Sequence, residues 1–281
     1  YDLMIAPLMV FLVLMVAFPL IYTAYLSFTN WNMGALAPKW LGLKNYIDVL
    51  TDSQFWSDTG HTLYLAFGSV AIELVLGTGI AIVLNRPFAG KNFIKTLFLL
   101  PMVATPIAVG MVWQLIYEPT LGVANYLLKF LGIEPVMWLI DTNMVMKSMI
   151  IIEVWEWTPM VMLIVLAGLA GMPQDVFEAA KVDGANRFQI FRRVTLPLLA
   201  PTLIVTALMR IIDALKTFDI IYATTQGGPL KASETVNLLA YKSIFSYFKM
   251  GRGAALIICF LAEIGLCCAL VMILRRNAKR R

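Results

Sequence analysis

The chain has 281 residues, 60% of them hydrophobic and only 14% charged, with a formal net charge of +5 and a mean hydropathy of +0.80. Soluble domains carry roughly 25% charged residues and have no use for apolar runs this long, so the composition excludes a soluble globular protein. Because the basic residues sit in short loops beside apolar runs, a nucleic-acid binder is excluded as well.

Six apolar spans are predicted in chain order, and the chain reads as a single all-α transmembrane domain over 1–281. It opens on Tyr1 rather than Met with no visible cleavable signal sequence, so an N-terminal piece is expected to precede it. The first span covers 3–28 and contains Pro7 and Pro19, which membrane helices tolerate because neighbouring groups satisfy the freed carbonyls. Trp31, Trp40 and Tyr46 follow as an interfacial aromatic belt. The second span, 62–84, holds one acid, Glu73; the third, 97–117, has Pro101 and Pro106 near its start. The remaining spans cover 149–169, 196–218 and 254–274. Each is about 20 residues or longer, enough to cross ~30 Å of hydrocarbon at ~1.5 Å per residue. Cys259, Cys267 and Cys268 share the last apolar run without metal-ligand spacing and read as small apolar helix residues.

Lys and Arg placement sets the expected orientation. Arg86, Lys91 and Lys95 follow the second span, Lys181, Arg187, Arg192 and Arg193 follow the fourth, and Arg275, Arg276, Lys279, Arg280 and Arg281 form the tail. These are twelve of the 22 basic residues and all lie on one side, while the opposite loops hold Lys39, Lys44 and Lys129 among several acids. Both termini and the 171–196 loop are therefore expected in the cytoplasm.

That loop is a polar island between two apolar runs. Pro173 can open a helix, with Gln174, Asp175 and Glu178 loading its positive end. Ala179 and Ala180 favour helix, Gly184 permits a sharp turn, and a second short amphipathic run (Phe188, Phe191, Val194) ends where Pro197 opens the next span. An ordinary amphipathic connection is the plain alternative. Glu178-Ala179-Ala180, then Asp183-Gly184, then Val194-Thr195-Leu196-Pro197 resembles the EAA loop of permease subunits of bacterial ABC importers, with Val194 where the pattern usually has Ile. Gly42-Leu43-Lys44-Asn45-Tyr46, Gly122-Val123-Ala124-Asn125 and Gly227-Gly228-Pro229 followed by Glu234-Thr235 are similar to the carbohydrate class of these permeases: maltose, glycerol-3-phosphate, trehalose and polyol types. No counterpart of the large extracytoplasmic domain of the longer maltose permease is expected, and the six spans should make up the core.

The resemblance implies a type I ABC importer permease of the bacterial inner membrane. Its partners would be a second, similar permease, two ATPase subunits and an extracytoplasmic solute-binding protein, all around the lipid bilayer. The chain itself would hold no cofactor, since ATP and Mg belong to the ATPase partner. Glu178, Ala179, Ala180, Asp183, Gly184, Leu196 and Pro197 would form the coupling helix that enters a groove of that ATPase. Alignment on Pro159 places Glu153, Glu156, Trp157 and Met160 on the sugar path, and alignment on Gly227-Gly228-Pro229 adds Arg210, Ala214 and Thr217.

Ionisable residues at membrane depth are costly and face a bundle interior or wet cavity. Arg210, Asp213, Lys216 and Asp219 are three apart with alternating sign, so an ion-pair ladder on one helical stripe and a polar substrate path both remain open. Glu73 and Glu263 are expected as packing contacts. No G-x-x-x-x-G-K-[ST], H-E-x-x-H or G-x-S-x-G occurs, and His61 at a span boundary reads as interfacial, so an enzyme has no support. A stand-alone secondary transporter or channel using the intramembrane charges is the alternative; no internal repeat of the kind many carriers contain is visible.

Overall fold

The computed structural model describes residues 2–35 and 37–278, with side chains over 5–35 and 37–273. Among the predicted tail cations, Lys279, Arg280 and Arg281 lie outside the described residues, as do the side chains of Arg275 and Arg276. In chain order the helices are α1 (Asp2–Ser27), α2 (Lys44–Leu50), α3 (Ser53–Leu84), α4 (Lys91–Val103), α5 (Pro106–Ile116), α6 (Val123–Phe130) and α7 (Val145–Ala170). They continue as α8 (Gln174–Val182), α9 (Arg187–Ile190), α10 (Leu196–Leu215), α11 (Asp219–Thr224), α12 (Val236–Tyr241) and α13 (Met250–Ala278), with π-helical turns at Phe191–Thr195 and Lys242–Ser246.

Five of these runs are long and apolar enough to cross a membrane: α1, α3, α7, the Arg187–Thr224 run containing α10, and α13. The predicted span at 97–117 is instead the pair α4 and α5, bent by 98°, which makes a sixth if counted as one. The break is local chemistry. Ala104 and Thr105 are extended (ψ 150° and 140°), because the ring of Pro106 pushes its predecessor out of the helical region. Pro106 then opens α5, where a missing N–H costs nothing. α3 begins at Ser53 rather than near 62, since a helix continues through polar residues once capped. The Asp52 carboxylate supplies that cap by accepting from the Gln54 N–H at 2.9 Å.

The described residues sort into two compact units, one lying within 1–62 and 234–270, the other within 63–233 and 271–281. The first has a core of Val49, Phe55, Val236, Ala255, Leu256 and Phe260. Here the Gly42–Tyr46 segment acts as a latch on the end of α1. Asn45 donates to the carbonyls of Ser27 and Thr29 at 2.8 and 2.7 Å, and the Tyr46 and Ser27 hydroxyls share a 2.6 Å hydrogen bond. Over Ile5–Val16, by contrast, α1 is exposed throughout, as an all-round apolar helix is when its solvent is lipid. His61 meets the Glu234 carbonyl at 3.0 Å through Nδ1, and Glu234 pairs with Lys242 at 2.6 Å.

In the second unit, α3, α7 and α10 pack around Ala81, Val161, Met162, Val165, Leu169 and Leu199. α5 lies along α11, and Gln114 of α5 donates to the Thr224 carbonyl at 2.7 Å. Asn125 ties down the loop after α6: its Oδ1 accepts from the Val136 N–H at 3.0 Å and the Trp138 indole at 2.8 Å.

α13 enters beside the latch with Gly251 facing it, and a Cβ there would fall 2.0 Å from the Thr29 carbonyl oxygen. Alanine is worth about 1 kcal/mol more than glycine within a helix, whereas overpacking costs about 1–3 kcal/mol. Gly251→Ala should therefore lower the thermal midpoint of the purified protein in detergent. A raised midpoint would mean that the latch yields freely.

Candidate functional site

Arg210 of α10 is fully buried, at 0% exposure. Its Nε donates to Oε2 of Glu73 on α3 at 2.8 Å, and one terminal nitrogen donates to Glu73 Oε1 at 3.1 Å and to Glu153 Oε1 of α7 at 3.0 Å. The fork on Glu73 is the bidentate geometry in which guanidinium and carboxylate bind most strongly. Thr217 adds a hydroxyl to Glu153 Oε1 at 3.3 Å, and the guanidinium carbon lies 4.8 Å from the centroid of the Trp157 ring. The arginine is thus held by acids from two other helices and capped by an indole face.

A cavity of about 140 Å³ opens on this cluster, lined by Glu153, Trp157, Arg210, Thr217 and Asp219, with Pro106 of the bend contributing. Four of the seven predicted path residues, Glu153, Trp157, Arg210 and Thr217, therefore meet in one place. Glu156, on the same face of α7 as Glu153, is buried with no hydrogen-bond partner for its Oε2. Met160 and Ala214 do not line the cavity, and Ala214 is packed to 1% exposure.

The anticipated ladder along α10 is not continuous. Asp213 and Lys216 do pair, at 3.2 Å and half exposed, but Arg210 turns away to Glu73 and Glu153. α10 ends at Leu215 and Asp219 begins α11, so the helical phase that would align all four charges is lost. The sequence did not identify Glu73 as the partner of Arg210. The available signal was that a lone acid in a span needs a counter-charge, and Arg210 stands within an apolar span.

Between α7 and α10, α8 and α9 form a hairpin whose second arm continues into the Arg187–Thr224 run. Pro173 is the N-cap of α8, and Gly184 closes the helix at φ +74°, a conformation natural to glycine. The Ala185 N–H bonds the Ala180 carbonyl at 3.0 Å and the Gly184 N–H bonds that of Lys181 at 3.1 Å, a Schellman closure. Asn186 and Gln189 then cap α9 reciprocally, at 2.9 and 2.7 Å. Pro197 does not end this run. Its ring crowds the carbonyl four residues back, and the wider π-turn at Phe191–Thr195 absorbs the conflict, so α9 passes into α10 without a stop. Of the predicted coupling residues, Glu178, Ala179, Asp183, Gly184, Leu196 and Pro197 are exposed and Ala180 is half-buried. Two apolar side chains of the hairpin also stand in the open, Val182 at 87% and Phe188 at 68% exposure.

Long apolar helices, a buried charged cluster beside a cavity and a polar hairpin with exposed apolar side chains suit a membrane subunit that works with partners. The chain belongs to the binding-protein-dependent transport system inner membrane component family, which it matches over residues 73–281. It is 42% identical over 252 residues to the probable ABC transporter permease protein y4oQ of Sinorhizobium fredii, covering 89% of this chain and 81% of that one. It is 38% identical over 249 residues to the trehalose/maltose transport system permease protein MalF of Thermococcus litoralis, covering 89% and 83%. The backbone matches a chain from a bacterial ABC transporter involved in the import of the acidic polysaccharide alginate at a TM-score of 0.84 and 20% identity, covering 99% of this chain and 94% of that chain. The fold is that of a type I ABC importer permease, a multi-pass and non-catalytic membrane subunit.

The ion cluster generates a stability test. Removing one partner of a buried pair costs about 3–5 kcal/mol, because the charge left behind is desolvated and unpaired. Arg210→Ala, which strands two carboxylates, should sharply reduce the yield and thermal midpoint of the purified protein. Arg210→Lys should also lose stability, since an ammonium cannot reproduce the fork. A lysine variant as stable as the native protein would show that the fork geometry contributes nothing.

Proposed function

We propose that the chain is the permease subunit of an ATP-driven importer for a neutral sugar, polyol or related hydroxylated solute. It would form the translocation path with a second permease, receive solute from an extracytoplasmic binding protein, and be driven by two ATPase subunits that hold ATP and Mg. The observation that carries the substrate class is the neutralisation of Arg210 by Glu73 and Glu153 at the cavity. A free arginine would favour an anion such as glycerol 3-phosphate. An arginine already held by two acids offers an anion no net attraction, while Glu153 and Thr217 present oxygens suited to hydroxyls and Trp157 an apolar face suited to a sugar ring. The relative from Thermococcus litoralis, described as a trehalose/maltose permease, agrees with this class.

Coupling is assigned to the α8–α9 hairpin, with both termini and this loop in the cytoplasm as the Lys and Arg distribution favours. Exposed Val182 and Phe188 support a docked partner there, because two large apolar side chains facing water gain by being covered. Glu178 would meet a basic group of the ATPase groove, and Ala179, Ala180 and Gly184 would permit close approach. ATP binding would close the ATPase pair, move the hairpin as one lever and rock the spans toward the binding protein. Family membership sets aside the stand-alone carrier.

The test is the ATPase rate of the reconstituted complex with its binding protein and a panel of disaccharides, polyols and glycerol 3-phosphate. Stimulation should come from a neutral hydroxylated solute. Stimulation by the phosphate ester alone would overturn the substrate class. Glu178→Lys and Gly184→Pro, the second of which cannot adopt φ +74°, should abolish stimulation while the spans remain folded; native stimulation in both would overturn the coupling role.

A further inference from the structure

A second, larger cavity of about 690 Å³ lies where the end of α3, the end of α7 and the α8–α9 hairpin meet. Its polar wall carries three cations from three separate segments: Arg86 after α3, Lys181 on α8 and Arg187 at the start of α9. Among the described residues no acidic side chain lines it, and none of the three cations forms an ion pair. The other wall is apolar and includes Met172, Phe177 and Ile190.

We infer that this cavity binds the headgroup of an anionic phospholipid. Three like charges gathered around one space repel one another, and although each is exposed, their convergence on a cavity with no acid among its described lining residues favours an anionic occupant. The apolar wall, and the position of the cavity where apolar spans give way to charged ends, require it to be amphiphilic too, which selects a membrane lipid over a soluble anion. A phosphate bridging Arg86 to Lys181 and Arg187 would tie the hairpin to the end of α3, so the lipid would also stiffen the lever. Only that last consequence rests on the coupling role proposed above.

The experiment uses the whole transporter complex, incubated in vesicles of three parts phosphatidylcholine to one part phosphatidylglycerol, extracted in mild detergent and weighed intact by mass spectrometry. Cationic side chains at a membrane surface each contribute severalfold to binding an anionic lipid. The triple variant Arg86→Gln, Lys181→Gln, Arg187→Gln should therefore retain phosphatidylglycerol about a hundredfold more weakly. A charge-preserving variant, Arg86→Lys, Lys181→Arg, Arg187→Lys, should retain it, which separates lost binding from lost folding. In the native complex, a photoactivatable phosphatidylglycerol should label segments 82–86 and 174–195. Equal retention by the triple variant, labelling confined to other segments, or displacement by water-soluble glycerol phosphate at equal concentration would each overturn the inference. Failure of the ATPase to stay with the native complex would count against the coupling role instead, and the lipid count would still decide this site.

Discussion

One buried arginine organises the packing of α3, α7 and α10. Moving a lone ion from water into an interior of low dielectric costs on the order of 20 kcal/mol in the idealised limit. Arg210 therefore cannot stand at its depth without Glu73 and Glu153. The requirement is geometric as well as electrostatic. A bidentate fork has narrow tolerances in distance and angle, so it fixes the axial register of α3, α7 and α10 against one another, a task that interchangeable aliphatic contacts perform poorly. The bland packing of Val161, Val165 and Leu199 then fills the space whose register the ions have set. In the proposed transport cycle the three helices would move as a body, because separating them at this point would expose unpaired charge to hydrocarbon.

The α8–α9 hairpin is built on the opposite principle. It has almost no core of its own, and no residue of α8 is buried, so its shape must come from local hydrogen bonding. The Schellman closure at Gly184 and the reciprocal cap of Asn186 and Gln189 satisfy the helix-end groups of α8 and α9 across a short turn. The uninterrupted passage through the π-turn into α10 carries that stiffness into the membrane-crossing part. In the proposed coupling role, a device made this way would transmit displacement without needing a partner to hold its shape. Its underside carries Lys181 and Arg187, which face a cavity shared with Arg86 after α3, where the lipid headgroup is proposed.

Much of this was legible in the residues because the bilayer is an unforgiving solvent. Within it, backbone groups must be satisfied inside each span, so long apolar runs announce helices with little ambiguity, and the charged island at 171–196 announces a connection. The residue pattern 178–197 likewise placed the hairpin and its glycine turn, since the special backbone at Gly184 has a chemical signature. Misjudged features were those with a competing local rule. The 98° bend between α4 and α5 follows from Pro106 acting on Thr105, but elsewhere in the chain a proline inside a span leaves the helix unbroken, as Pro159 does in α7. Pro197 was expected to terminate a helix and is accommodated by a π-turn, an outcome that residue type alone does not reveal.

The amino-acid sequence by itself determined the all-helical membrane fold, the family, the position of the α8–α9 hairpin and several of the polar residues near the cavity. These depend on composition, on periodicity and on neighbours within a turn or two, all of which are one-dimensional. Tertiary structure alone decided which acid neutralises Arg210, that the α10 charges do not form a continuous ladder, and that Arg86, Lys181 and Arg187 converge on one cavity. Those facts join residues as far apart as 73 and 210. Long-range pairing is set by how helices rotate and slide against one another, and in a bundle whose surfaces are nearly uniformly apolar the one-dimensional pattern carries little record of that rotation.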